Sequence, residues 1–183
     1  MRRSVLELTR VALFAALIAV CSFITVPMPG VPFTLQLFGV AMALAFLGGR
    51  EGTLAVAVYL LLGLCGVPVF SGFRAGPAAL FGTTGGYLVG FLVMGFVYWA
   101  LTRLLPGTHR FFGVLRLWIS LLFCYAFGTV WFVVLYVRNT GPIGVWSVLL
   151  RCVIPFLLPD LVKILLAVRL SGLIRARLSH GKT

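Results

Sequence analysis

Apolar segments fill most of this chain, and most of the basic residues gather at the ends of those segments, Lys163 and Arg169 lying within the last. Of its 183 residues, 62% are hydrophobic and only 10% charged. A soluble domain of that size leaves too much surface in water to hide so many apolar side chains. Lipid accepts such a surface, provided every backbone polar group is satisfied within the protein. An all-α integral membrane protein is therefore expected. It forms one domain, 1–183, because no polar stretch is long enough for a second.

The formal net charge of +12 invites a nucleic-acid reading, but the basic residues form no continuous stripe. Their placement at segment ends is the positive-inside pattern. Cys21, Cys65, Cys124 and Cys152 lie in or beside apolar segments without C-x-x-C spacing, as small buried hydrophobes do, so neither a disulfide framework nor a metal site is expected. His109 and His180 are isolated in basic connections and receive no catalytic role. Arg2, Arg3 and Arg10 ahead of the run from Val11 imitate a signal peptide. The run passes Ile24 without a cleavage-type pattern, so an uncleaved first helix is expected.

Helix breakers divide the chain. A first helix is predicted from about Val5 to Val26, stopped by Pro27-Met28-Pro29-Gly30. A second follows from about Phe33 to Leu47 and a third from about Thr53 to Cys65. Residues 66–77 are too rich in Gly and Pro for a helix and too apolar for a water-exposed loop. They read as irregular backbone packed against protein or a cavity. A fourth helix starts near Gly85-Gly86-Tyr87 and ends before Pro106, and a fifth runs from about Val114 to Tyr136. The 37 residues from Pro142 to Leu178 would make a single helix of about 55 Å, too long for a ~30 Å core. Pro155 and Pro159 divide them into a short outer helix, about Ile143 to Cys152, and a sixth span from about Leu158. With the N-terminus inside, Arg2, Arg3, Arg10, Arg50, Arg103, Arg110, Arg116, Arg175, Arg177 and Lys182 fall on the cytoplasmic side. Only Arg74, Arg138 and Arg151 fall outside, which favours two cytoplasmic termini.

Three acids exist, and only Asp160 lies deep in an apolar run. Lys163 follows one helical turn later, on a neighbouring face. Buried opposite charges are costly to desolvate and in membranes commonly mark function. Side by side they suit a ligand carrying both an N–H and a C=O; a self-satisfied salt bridge at a helix start is the alternative. Gln36 serves either interhelical packing or a ligand. Gly82-Thr83-Thr84-Gly85-Gly86-Tyr87 either exposes backbone N–H groups or permits a close helix crossing. Ala12 and Ala16, with Ala15 and Ala19, make two small-x-x-x-small pairs that suit internal packing or a partner helix. No P-loop, H-E-x-x-H or paired carboxylates are present, so no enzyme chemistry is expected.

Four motifs occur in order: Pro32-Phe33-Thr34-Leu35-Gln36; Gly63 to Phe70; Gly82 to Phe91; and Pro155-Phe156 with Pro159-Asp160-Leu161-Val162-Lys163. Together, from about Ala12 to Lys163, they resemble the BioY family, the biotin-binding S components of energy-coupling factor transporters. The resemblance implies a six-transmembrane-helix bundle in the prokaryotic plasma membrane, with biotin as substrate and no cofactor. It implies partners as well: a transmembrane coupling subunit docked on Ala12, Ala15, Ala16 and Ala19, and two cytoplasmic ATPases. It places Asp160 and Lys163 at the ureido head of biotin, and Thr34, Gln36, Gly85, Gly86 and Tyr87 around the pocket. Arg74 either pairs with the valerate carboxylate or reaches to water. Thr83 stands where the family commonly has proline, which softens the turn without removing its glycines. An S component for another vitamin, or a small membrane enzyme or lipid-interaction protein, are the competing readings.

Overall fold

The computed structural model describes residues 5–26, 32–107, 109–142 and 144–180. The breaker at Pro27 to Gly30, the terminal basic residues Arg2, Arg3 and Lys182, and Ile143 lie outside them. Apolar periodicity builds the helices α1 (Val5–Phe23), α2 (Gln36–Leu47), α3 (Gly49–Leu64), α5 (Gly85–Leu104), α6 (Arg110–Asn139) and α8 (Ile154–His180), with short helices α4 (Gly76–Leu80) and α7 (Val145–Cys152) between them. α1, α2 and α3 pack together, α5 and α6 pair along their length, and α8 closes the bundle against α2 and α6. The core runs through Ile18, Val40, Leu44, Val56, Tyr59, Met94 and Leu121. Large apolar side chains also point outward, with Leu13 65% and Val130 65% exposed, as a lipid-facing surface requires.

Among the described residues α1, α5 and α6 are each long and apolar enough to cross a bilayer unaided. α2 and α3, of 12 and 16 residues, are short for a ~30 Å core. α8 has ample length at 27 residues but carries Asp160, Lys163 and Arg169.

Several boundaries differ from expectation, each for a local reason. Thr25–Val26 (β1) and Phe33–Thr34 (β2) form an antiparallel hairpin, so α1 ends earlier and α2 starts later than apolarity suggests. The segment expected to be wholly irregular contains α4, because Pro77 occupies the first turn, where a missing N–H costs nothing. α8 starts at Ile154, a turn before the expected start. Pro159 is therefore interior and Asp160 lies beyond the first turn.

Arginines finish the bundle at the end away from the hairpin. Arg175 Nη2 donates to the carbonyls of Ala45 and Phe46 at 2.8 and 2.5 Å, and Arg116 Nη2 to those of Leu105 and Gly107 at 2.5 and 2.7 Å. These satisfy carbonyls at and just beyond the ends of α2 and α5 that no helical N–H can reach, and complement the helix dipoles there.

Candidate functional site

At the hairpin end of the bundle lies a small, partly open cavity of about 90 Å³. Its walls come from β2 and the start of α2, the loop after α3, the start of α5, the middle of α6, and α7 and α8. Leu88, Phe91, Leu121 and Phe156 make it chiefly apolar.

Its polar group centres on Asp160 and Lys163, 5% and 6% exposed on the inner face of α8. Lys163 Nζ lies 2.7 Å from Asp160 Oδ1 and donates also to the Thr34 carbonyl at 2.7 Å. It sits 3.9 Å from the centre of the Phe33 ring, and that ring stacks on Phe156. Tyr125, projecting from α6, donates its hydroxyl to Asp160 Oδ2. A buried ion pair needs such further hydrogen bonds to offset its desolvation. The hairpin, α6 and α8 thus meet at one carboxylate and one ammonium.

A second polar chain supports the wall at α2. Gln36 is buried and donates from Nε2 to the Tyr59 hydroxyl at 2.9 Å, which donates to the Val69 carbonyl at 3.1 Å. Ser22 Oγ reaches the same carbonyl at 2.5 Å. These donors satisfy the buried backbone of the loop after α3, the condition for irregular structure at that depth. Phe70 anchors the loop, its ring filling the place a Cβ on Gly63 would occupy, which accounts for the glycine opening that motif. Gly72 (φ 70°) and Phe73 (φ 56°) then turn through the left-handed region, unusual for a phenylalanine. The Phe73 ring stacks on Phe23 at 4.6 Å, and the turn brings Arg74 to the cavity, its Nε bonded to the Ser71 carbonyl at 3.1 Å.

Of the sequence-predicted ligand residues, Thr34, Gln36, Arg74, Tyr87, Asp160 and Lys163 line this cavity. Gly85 and Gly86 do not. A Cβ on Gly85 would strike the Leu80 carbonyl, and one on Gly86 the Trp131 side chain of α6. The Gly85 N–H is used within the turn, on the Gly82 carbonyl at 2.9 Å. Both glycines serve close packing, the alternative left open by the sequence. Tyr87 sits over Gly128 of α6 and its hydroxyl meets Thr129 Oγ1 at 3.3 Å. The turn closes without the proline replaced by Thr83. Cys124, Cys152 and Tyr125 also line the cavity and carried no signal in the sequence, being ordinary members of apolar helices.

The alanine pairs separate. Ala12 and Ala16 are exposed, Ala15 is buried and Ala19 half-buried. The close approach between α1 and α2 occurs elsewhere, where a Cβ on Gly39 would come within 3.0 Å of Ile18 Cα.

Comparison with known proteins follows the same line. The sequence profile of the BioY family matches residues 1–180. The biotin transporter BioY2 of Lactococcus lactis is 39% identical across 95% of this chain and 92% of its own. A probable biotin transporter BioY of Pyrococcus horikoshii is 36% identical across 91% and 96%. The biotin transporter BioY of Thermotoga maritima is 50% identical over a stretch covering 50% of this chain and 54% of that one. Among solved structures, the S-component for biotin from an ECF-type ABC transporter superposes with a TM-score of 0.81, at 27% identity over 94% of this chain and 92% of that one.

Proposed function

Because the chain belongs to the BioY family, we propose that it is the biotin-binding S component of an energy-coupling factor transporter, holding biotin between Asp160, Lys163 and the apolar wall of the cavity. The family is one of transporter subunits, not enzymes.

The hydrogen-bonding capacity left at the charged pair carries the assignment of the head group. An ammonium has three donors. Lys163 directs two at Asp160 and the Thr34 carbonyl, and the third has the face of Phe33, a weaker acceptor than a carbonyl oxygen. A carboxylate offers about four acceptor positions. Lys163 and Tyr125 fill one on each oxygen of Asp160. One donor and two acceptors are left side by side, and the pair complements the C=O and a flanking N–H of a cyclic urea. Leu88, Phe91, Leu121 and Phe156 then receive the sulfur-containing ring and the chain. Gln36, Thr34 and Tyr87 complete the wall.

Titration of the purified protein with biotin by calorimetry tests this. Saturable binding that excess thiamine or riboflavin does not displace is the expected result. No heat with biotin, or displacement by another vitamin, overturns the reading.

Arg74 is exposed at the mouth and suits the valerate carboxylate. Exposed ion pairs contribute little, so Arg74→Gln is expected to weaken biotin binding only roughly two- to fivefold while leaving the affinity of biotin amide unchanged. Equal effects on the two ligands would show that Arg74 meets solvent instead.

In the membrane, α1, α2, α3, α5, α6 and α8 are the six crossings, with the cavity outside and both termini in the cytoplasm. The arginines that finish α2 and α5 at the opposite end support this orientation. The exposed Ala12 and Ala16 make α1 the face for a transmembrane coupling subunit, with Ala15 and Ala19 beneath them. Two cytoplasmic ATPases complete the transporter, and reorientation on that complex releases biotin inward.

A further inference from the structure

Tyr125 belongs to none of the motifs that mark the site, yet it makes the one side-chain hydrogen bond between α6 and α8 among the described residues. It is buried, and it reaches Asp160 Oδ2 while Lys163 holds Oδ1. Lys163 alone leaves a carboxylate free to turn about its last bond, since an ammonium attracts either oxygen. A donor on the second oxygen, coming from another helix, removes that freedom. It also fixes which lone pairs face the cavity.

We propose that Tyr125 is a positioning residue for ligand selection: it sets the Asp160 carboxylate so that a remaining acceptor position meets one ureido N–H of the ligand while Lys163 meets the C=O beside it. This rests on the biotin reading above and deepens it. Recognition of the head group then depends on a helix that contributes no charge to the site. The spacing of α6 from α8 becomes part of the specificity. A ligand with an N–H directed at the fixed carboxylate benefits fully; one in which that N–H is blocked does not.

The test compares biotin with whichever of its two mono-N-methyl ureido derivatives the wild-type protein binds more weakly, in the full-length wild-type protein and in Tyr125→Phe, which keeps the ring and removes only the oxygen. Biotin affinity is expected to fall roughly 10- to 100-fold, the usual weight of a hydrogen bond to a charged group. The N-methyl derivative should lose far less, so the preference for biotin narrows at least about fivefold. A merely structural defect would weaken both ligands alike and keep their ratio. An unchanged ratio, or an unchanged biotin affinity, overturns the proposal while leaving the biotin assignment intact. Failure of the wild-type protein to bind biotin would instead defeat the reading on which it rests. Tyr125→Gln, which retains a donor, gives a second variant and is expected to recover part of the preference; a ratio no better than that of Phe counts against the proposal.

Discussion

Lys163→Ala is expected to lower biotin affinity by at least about a hundredfold. Among the described residues, the ammonium makes the donor contacts on Asp160 Oδ1 and on the Thr34 carbonyl, both at 2.7 Å. Its loss removes a charged hydrogen bond to the ligand, typically about 1.5–3 kcal/mol, and leaves Asp160 buried without a countercharge. Breaking a buried pair on one side commonly costs about 3–5 kcal/mol, so the protein should also melt at a lower temperature. Stability and recognition can be separated. In Asp160→Asn combined with Lys163→Met, neutral groups of similar shape replace both partners, which removes the uncompensated charge. The double variant should regain most of the lost melting temperature and still fail to bind biotin tightly. Calorimetry and a thermal melt of the three proteins decide it. Wild-type affinity in Lys163→Ala would remove the pair from the site.

Gly86→Leu should abolish recovery of a monodisperse protein, and Gly86→Ala should already lower the melting temperature with and without biotin. A Cβ on Gly86 would overlap the Cβ and ring of Trp131, atoms too near the α6 backbone to swing aside. Trp131 is held in place by its own hydrogen bond, Nε1 to the Gly82 carbonyl at 3.2 Å. Overpacking of this kind costs about 1–3 kcal/mol for small additions and more as the side chain grows. The effect reaches the ligand indirectly, since Tyr87 rides on the same α5–α6 contact at Gly128. If Gly86 instead served as a backbone contact to the ligand, Gly86→Ala would keep its melting temperature and lose only affinity.

Some of this is legible in the sequence. Asp160 and Lys163 stood out because charges in an apolar run have so few tolerable explanations. Gln36 stood out less, since an amide packs between helices as readily as it meets a ligand. Gly85 and Gly86 were visible but ambiguous, because close packing and backbone exposure both demand glycine. Tyr125 was not legible at all. It is one of five tyrosines, in the middle of the longest helix, and its neighbours in sequence say nothing about a carboxylate 35 residues away. The hairpin of Thr25–Val26 with Phe33–Thr34 leaves no mark in the sequence either, because two-residue strands carry no periodicity.

The sequence by itself determined the solvent, the helices and the identity of the charged pair. Each of these follows from hydrophobicity and spacing along the chain, which are local. Tertiary structure alone decided the directions of the hydrogen bonds around that pair. It turned Lys163 toward the Thr34 carbonyl, brought Tyr125 to the second oxygen of Asp160, and set Gly86 against Trp131 rather than toward the cavity. Such contacts depend on how helices far apart in sequence rotate and approach, and hydrophobic patterning leaves that rotation open in lipid, where apolar faces outside and inside look alike.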